Sequence, residues 1–173
     1  MNRFSVPIFL LAFGAVLGLV SPSYADHPRS SSRGFNIAAR PNGFEEVPAV
    51  LTNGNAAFLA SVSQQAQTIT FKLIFNDLSS DPSTATISFG QRGVNGGTVA
   101  FLCGGGSKGA CPSSASGTIT GTIAASDVLG VADQGVAAGS FQDLVDVIVS
   151  GNGYVNISST NFPAGELRGQ IVP

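Results

Sequence analysis

Charge is what this 173-residue chain has least of, with Asp, Glu, Lys and Arg together making up 10%. Hydrophobic residues make up 43%, and that balance excludes an acidic or basic disordered chain, which needs high net charge and little to bury. Eight basic residues face ten acidic ones, a net charge of -2, so there is no large basic surface for nucleic acid or anionic lipid. Histidine is nearly absent. The only one, His27, lies in a polar lead-in, which leaves the many serines of the patterned region without an imidazole base. The acids Glu45, Glu46, Asp77, Asp81, Asp127, Asp133, Asp143, Asp146 and Glu166 show no recognisable paired-carboxylate spacing. They are also too sparse for a calcium loop. The expectation is a protein that is not an enzyme and carries no cofactor or metal.

The longest apolar run, Val6 to Val20, follows Arg3 and precedes Ser21-Pro22-Ser23-Tyr24-Ala25, so residues 1–25 read as a secretory signal cleaved between Ala25 and Asp26. A membrane anchor is the rival reading. Fifteen residues of helix span about 22 Å, short of the roughly 30 Å hydrocarbon core. The expected product is secreted or periplasmic, free of the membrane after cleavage, with seven basic and ten acidic residues and a net charge of -3. Its length suits one domain over 35–173 behind a flexible segment 26–34.

Cysteine occurs twice. Cys103 and Cys111 flank Gly104-Gly105-Gly106-Ser107-Lys108-Gly109, and in an oxidising compartment they are expected to form a disulfide. Two thiolates fall short of the four ligands of a zinc site.

Two-residue alternation dominates the rest. Gln67 to Phe75 sets Ile69, Phe71, Leu73 and Phe75 against Thr68, Thr70 and Lys72; Ser83–Phe89, Ser116–Ile123, Tyr154–Ser158 and Glu166–Val172 repeat the pattern. Phe35–Ala39, Asn55–Ser63 and Gly97–Leu102 are further candidates. About eight strands, with Asn-Gly pairs at 42–43, 53–54, 95–96 and 152–153 as turn signals, predict an all-β antiparallel β-sandwich, Greek-key/Ig-like or superoxide-dismutase-like. One short helix is expected over 141–149. Ser140 and Asp143 have capping-box spacing, Phe141, Leu144, Val145 and Ile148 form its apolar stripe, and Gly151 ends it.

Three segments, read together, carry a family resemblance: Phe44-Glu45-Glu46-Val47-Pro48; Ala85-Thr86-Ile87-Ser88-Phe89; and Tyr154-Val155-Asn156-Ile157-Ser158, followed by Pro163-Ala164-Gly165-Glu166-Leu167-Arg168-Gly169-Gln170. The chain resembles the CHRD domain, named from chordin and widespread in exported bacterial proteins, over roughly residues 35–172. The family pattern has Glu-Val-Pro, Ala-His-Ile-His, Tyr-Val-Asn-Val-His-Thr and Pro-x-Gly-Glu-Ile-Arg-Gly-Gln. Where it has histidines, this chain has Thr86, Ser88 and Ser158. Hydroxyls are poor ligands for zinc or copper, so a site of that design is expected to be absent. The loop between Cys103 and Cys111 also looks like one in bacterial members. The resemblance implies an exported, non-catalytic binding or structural module, expected to be a monomer that meets an unknown extracellular or envelope protein or ligand. The alternative is a metal-binding or redox protein related to copper–zinc superoxide dismutase-like sandwiches, its metal site lost here.

Glu166, Arg168 and Gln170 alternate with Leu167, Gly169 and Ile171 and are expected to share one strand face, where Glu46 joins them if the first and last strands are neighbours. Two readings are open: a polar recognition patch, or a carboxylate–guanidinium pair holding the last strand in register. Gly104-x-Gly106-x-x-Gly109 lacks the following helix of a dinucleotide loop. Asn156-Ile157-Ser158 matches a glycosylation sequon inside a predicted strand.

Overall fold

The computed structural model describes residues Gly34–Pro173. The leader, its cleavage point at Ala25 and Asp26, and His27 lie outside the described residues.

Eight strands form: β1 (Phe35–Ala39), β2 (Asn55–Ser63), β3 (Thr68–Asn76), β4 (Pro82–Phe89), β5 (Gly97–Cys103), β6 (Gly117–Ala124), β7 (Gly153–Ser159) and β8 (Leu167–Gln170). All pairings are antiparallel, in two four-stranded sheets ordered β1-β2-β3-β6 and β5-β4-β7-β8. The chain leaves the first sheet after β3, makes β4 and β5 in the second, and returns to set β6 beside β3, a Greek-key connection between layers. The all-β sandwich is therefore as its alternation implies.

Each sheet contributes one apolar face. Phe58, Val62, Ile69, Leu73 and Phe75 from the first sheet and Ala85, Ile87, Val155, Ile157 and Leu167 from the second are fully buried, while Thr70, Lys72, Thr118, Thr120 and Thr122 face outward. Facing large residues need small partners. Phe71 and Phe75 sit opposite Gly121 and Gly117 of β6, where a Cβ would lie 3.0 Å and 3.1 Å from the rings. This explains why β6 alternates isoleucine with glycine on its core side.

The helix α1 (Phe141–Val149) packs against β7 and buries Phe141, Leu144, Val145, Val147 and Ile148. The Ser140 side chain accepts from the Asp143 N–H at 3.2 Å. The reciprocal half of the expected capping box is absent, because the Asp143 carboxylate takes the Ala137 N–H instead. Gly151, at φ +74°, closes the helix: its N–H meets the Ile148 carbonyl, and that of Asn152 meets Val147.

The four Asn-Gly turn signals fall beside strand ends, and Gly43, Gly54, Gly96 and Gly153 lack positive φ. One further expectation is corrected. The last strand ends at Gln170 rather than Val172, because Val172 crosses to bridge Ala38 of β1. With the Asn42–Arg168 bridge, that crossing stitches the two sheets together along one edge. Gly169 permits it, since a Cβ there would lie 2.6 Å from the backbone nitrogen of Pro41.

Candidate functional site

Register assembles most of the motif residues on the outer face of the second sheet. Thr86 of β4 pairs with Asn156 of β7, which pairs with Arg168 of β8; one row along, Ser88 pairs with Tyr154 and Tyr154 with Gln170; in the other direction, Thr84 pairs with Ser158. The period of two does the rest. The hydroxyls of Thr86 and Ser88 lie 3.3 Å apart, and Ser88 and Ser158 are buried. Among the described residues no group of three or more His, Cys, Asp or Glu side chains is placed to hold a metal ion.

Among the described residues Arg168 is the largest fully buried side chain, 1% exposed, yet forms no ion pair. Its guanidinium lies 3.7 Å from the centroid of the Tyr154 ring, donates to the Gln91 carbonyl at 2.8 Å and donates to Asn95 Oδ1 at 3.2 Å. A cation over an aromatic face with carbonyl acceptors at its nitrogens is favourably held when desolvated. Asn95 in turn donates to the Val47 carbonyl at 2.9 Å, tying the β4–β5 loop to the segment carrying Glu46, Val47 and Pro48. The Val47–Pro48 peptide is cis.

Glu46 folds over Asn156. It is 6% exposed; its Oε2 receives a long contact from Asn156 Nδ2 at 3.5 Å, and its Oε1 has no donor. Burial pushes the carboxyl up to about 7, against the downward pull of the Val47 N–H and the Arg168 charge. Gly165, at φ +141°, presses on the same carboxylate: a Cβ there would lie 2.6 Å from Oε1.

Glu166 is not where the alternation puts it. Its Oε1 accepts from the Thr52 hydroxyl and the Ser79 N–H, each at 2.7 Å; its Oε2 accepts from the Ser79 hydroxyl at 2.9 Å and from Ser159 Oγ. Thr52 and Ser79 flank strands of the first sheet, whereas Ser159 belongs to the second, so Glu166 clasps the two layers at one end. Burial raises its pKa, but the bonds from Ser159, Thr52 and Ser79 outweigh it and hold the carboxyl below its ordinary value. Glu166 and Arg168 therefore do not pair, and Glu166 does not share the face of Arg168 and Gln170. Gln170 donates to the carbonyls of Gly90 and Gly151, at 2.9 Å and 2.8 Å.

The expected disulfide is present between Cys103 and Cys111. Within its loop, Lys108 pairs with Asp127 at 2.7 Å, and Ser107 also donates to that carboxylate. Burial would raise Asp127, but the Ala124 N–H, Lys108 and Ser107 hold it at about 2.

Beside Glu46 the surface opens into a groove of about 420 Å³ between Glu46–Leu51 and Asn161–Gly165. Its rim is apolar: Leu51 is 86% exposed, and Pro48, Ala49, Pro163 and Ala164 are exposed as well. A broader cleft of about 810 Å³ adjoins it through Leu51, Asn161 and Phe162. Glu166, behind Thr52 and Ser79 of that cleft, already has its acceptors filled.

The model for the CHRD domain matches residues 37–171. The chain belongs to the CHRD family. No curated protein and no solved structure gives a significant match. CHRD domains are extracellular, and a disulfide suits that setting. No helix among the described residues is long and apolar enough to cross a membrane.

Of the motif positions, Glu46, Thr86, Ser88, Asn156, Ser158 and Arg168 gather at this face of the CHRD domain, while Glu166 serves the layers beneath. Sequence reasoning missed Tyr154, Asn95, Gln91 and Gly165. Tyr154 was within reach, two residues before Asn156 and so on the same strand face. The Arg168 acceptors came from a loop contact seventy-odd residues away in sequence, for which periodicity carries no signal.

Proposed function

We propose that this CHRD domain is an exported, non-catalytic binding module that meets an extracellular or envelope partner through the loops 43–51 and 161–165. The observation that carries this reading is the apolar rim, with Leu51, Pro48, Ala49, Pro163 and Ala164 standing in water around a formed groove on a chain of low charge. Exposed apolar clusters of this kind mark contact sites. The test is capture from spent medium or envelope extract by the immobilised domain. L51D and A164D, both at exposed positions, should abolish capture, and T120D on the opposite sheet should leave it intact. Capture unaffected by the loop variants, or turnover of a substrate that depends on Glu46, overturns the reading.

A further inference from the structure

Glu46 is the one ionisable side chain lining the groove, and its position there creates an unmet need. The carboxyl is almost wholly withdrawn from water while Oε1 lacks any donor. Leaving a buried acceptor unpaired is costly, so native proteins seldom do it without a water, ion or ligand to complete the site. When the carboxyl ionises, its charge is poorly compensated. Arg168 makes no ion pair with it and is already engaged by Gln91, Asn95 and the Tyr154 ring. The only side-chain donor to Glu46 is the long contact from Asn156.

The walls say what else a ligand must be. Val47, Pro48 and Leu51 line one side, and Phe162 and Pro163 the other, all without charge. Gly165 packs its backbone against the Glu46 carboxylate and adds no side chain, which would otherwise stand 2.6 Å from Oε1 and 2.8 Å from Oε2. We propose that the groove binds a ligand with an apolar body and a single primary ammonium group, the ammonium donating to the Glu46 carboxylate and the body lying between the two loops. The proposal rests on the loop surface being the recognition surface. An anionic ligand would meet the carboxylate with no free cation to offset it. A neutral alcohol would supply the donor without the charge.

Hexylammonium, hexanol and hexanoate serve as probes of equal length, titrated into the full folded domain at about pH 8 and read by amide chemical shifts. Hexylammonium should move the amides of 46–51 and 161–165 and bind about tenfold more tightly than hexanol. E46Q should erase that difference, and A164W, which fills the groove from an exposed position, should remove the shifts of all three. Wild type gives a second measurement should E46Q fail to fold. Its preference for hexylammonium should collapse at about pH 5.5, where Glu46, faced by the charge of Arg168 from β8, is protonated. Equal binding of hexylammonium and hexanol, tighter hexanoate, or a preference that survives E46Q or low pH overturns the ammonium ligand and leaves the groove as a contact surface. Shifts that persist in A164W, or the absence of groove shifts with every probe, overturn the groove as well.

Discussion

Two glutamates 120 residues apart illustrate opposite ways of burying a carboxylate. Glu166 collects four donors from three residues, so its charged form is stabilised, whereas Glu46 has one long side-chain contact and an empty oxygen. The sign of each effect on stability follows from linkage. The Glu46 pKa is raised from 4.5 to about 7, so the folded state holds the proton more firmly than the unfolded one. The stabilisation is complete below pH 4.5 and is lost as pH rises through about 7. The loss amounts to about 3 kcal/mol. E46Q should flatten this part of the pH–stability curve and exceed wild type in urea midpoint at about pH 8; an unchanged slope would show that Glu46 is not the titrating group. Glu166 runs the other way. Its lowered pKa contributes stability above 4.5 that is lost as pH falls through the depressed value. E166A strands the Thr52, Ser79 and Ser159 donors and should cost about 3 kcal/mol or more in chemical denaturation.

At the scale of elements, local rules account for nearly everything in α1. Ser140 caps it, the stripe from Phe141 to Ile148 enters the core, and Gly151 takes the left-handed conformation that ends it. S140A should cost about 1 kcal/mol, and G151A about 1 kcal/mol, both measured as shifts in denaturation midpoint. The strands were equally legible where one face is apolar, as in β2 and β3, because a period of two fixes which residues turn inward. The failures cluster at ends. Asp143 is drawn to the Ala137 N–H by a loop that folds back on the helix, and Glu166 enters β8 from Gly165 at φ +141°, which rotates it out of the alternation. Neither event leaves a mark in hydrophobic pattern.

For the whole molecule, the decisive event is the closing of β8 onto Asn42 and of Val172 beyond it onto β1. Gly169 makes that possible by letting its backbone lie against Pro41, and G169A would force a Cβ into atoms 2.6–2.9 Å away. We expect G169A to destabilise the domain by about 2 kcal/mol or more and to raise hydrogen exchange at Ala38 and Val172. Exchange confined to the β2–β3 hairpin would argue against the closure as the point of strain. The same closure places Asn42 against Arg168, which brings the loop bearing Glu46 over the second sheet.

Composition and alternation were sufficient for the sandwich, the helix and its stop, and the disulfide, since each depends on neighbours in the chain or on a face repeated every two residues. Strand parity also put Thr86 with Ser88 on one strand face and Asn156 with Ser158 on another, but the pairing of β4 with β7 that joins them is tertiary. Tertiary structure alone decided the charges. Whether Arg168 meets a carboxylate or an aromatic ring, and whether Glu46 is satisfied or left wanting, depends on loops brought together from distant parts of the chain. The energy of a buried charge is set by those few contacts and not by its place in a pattern.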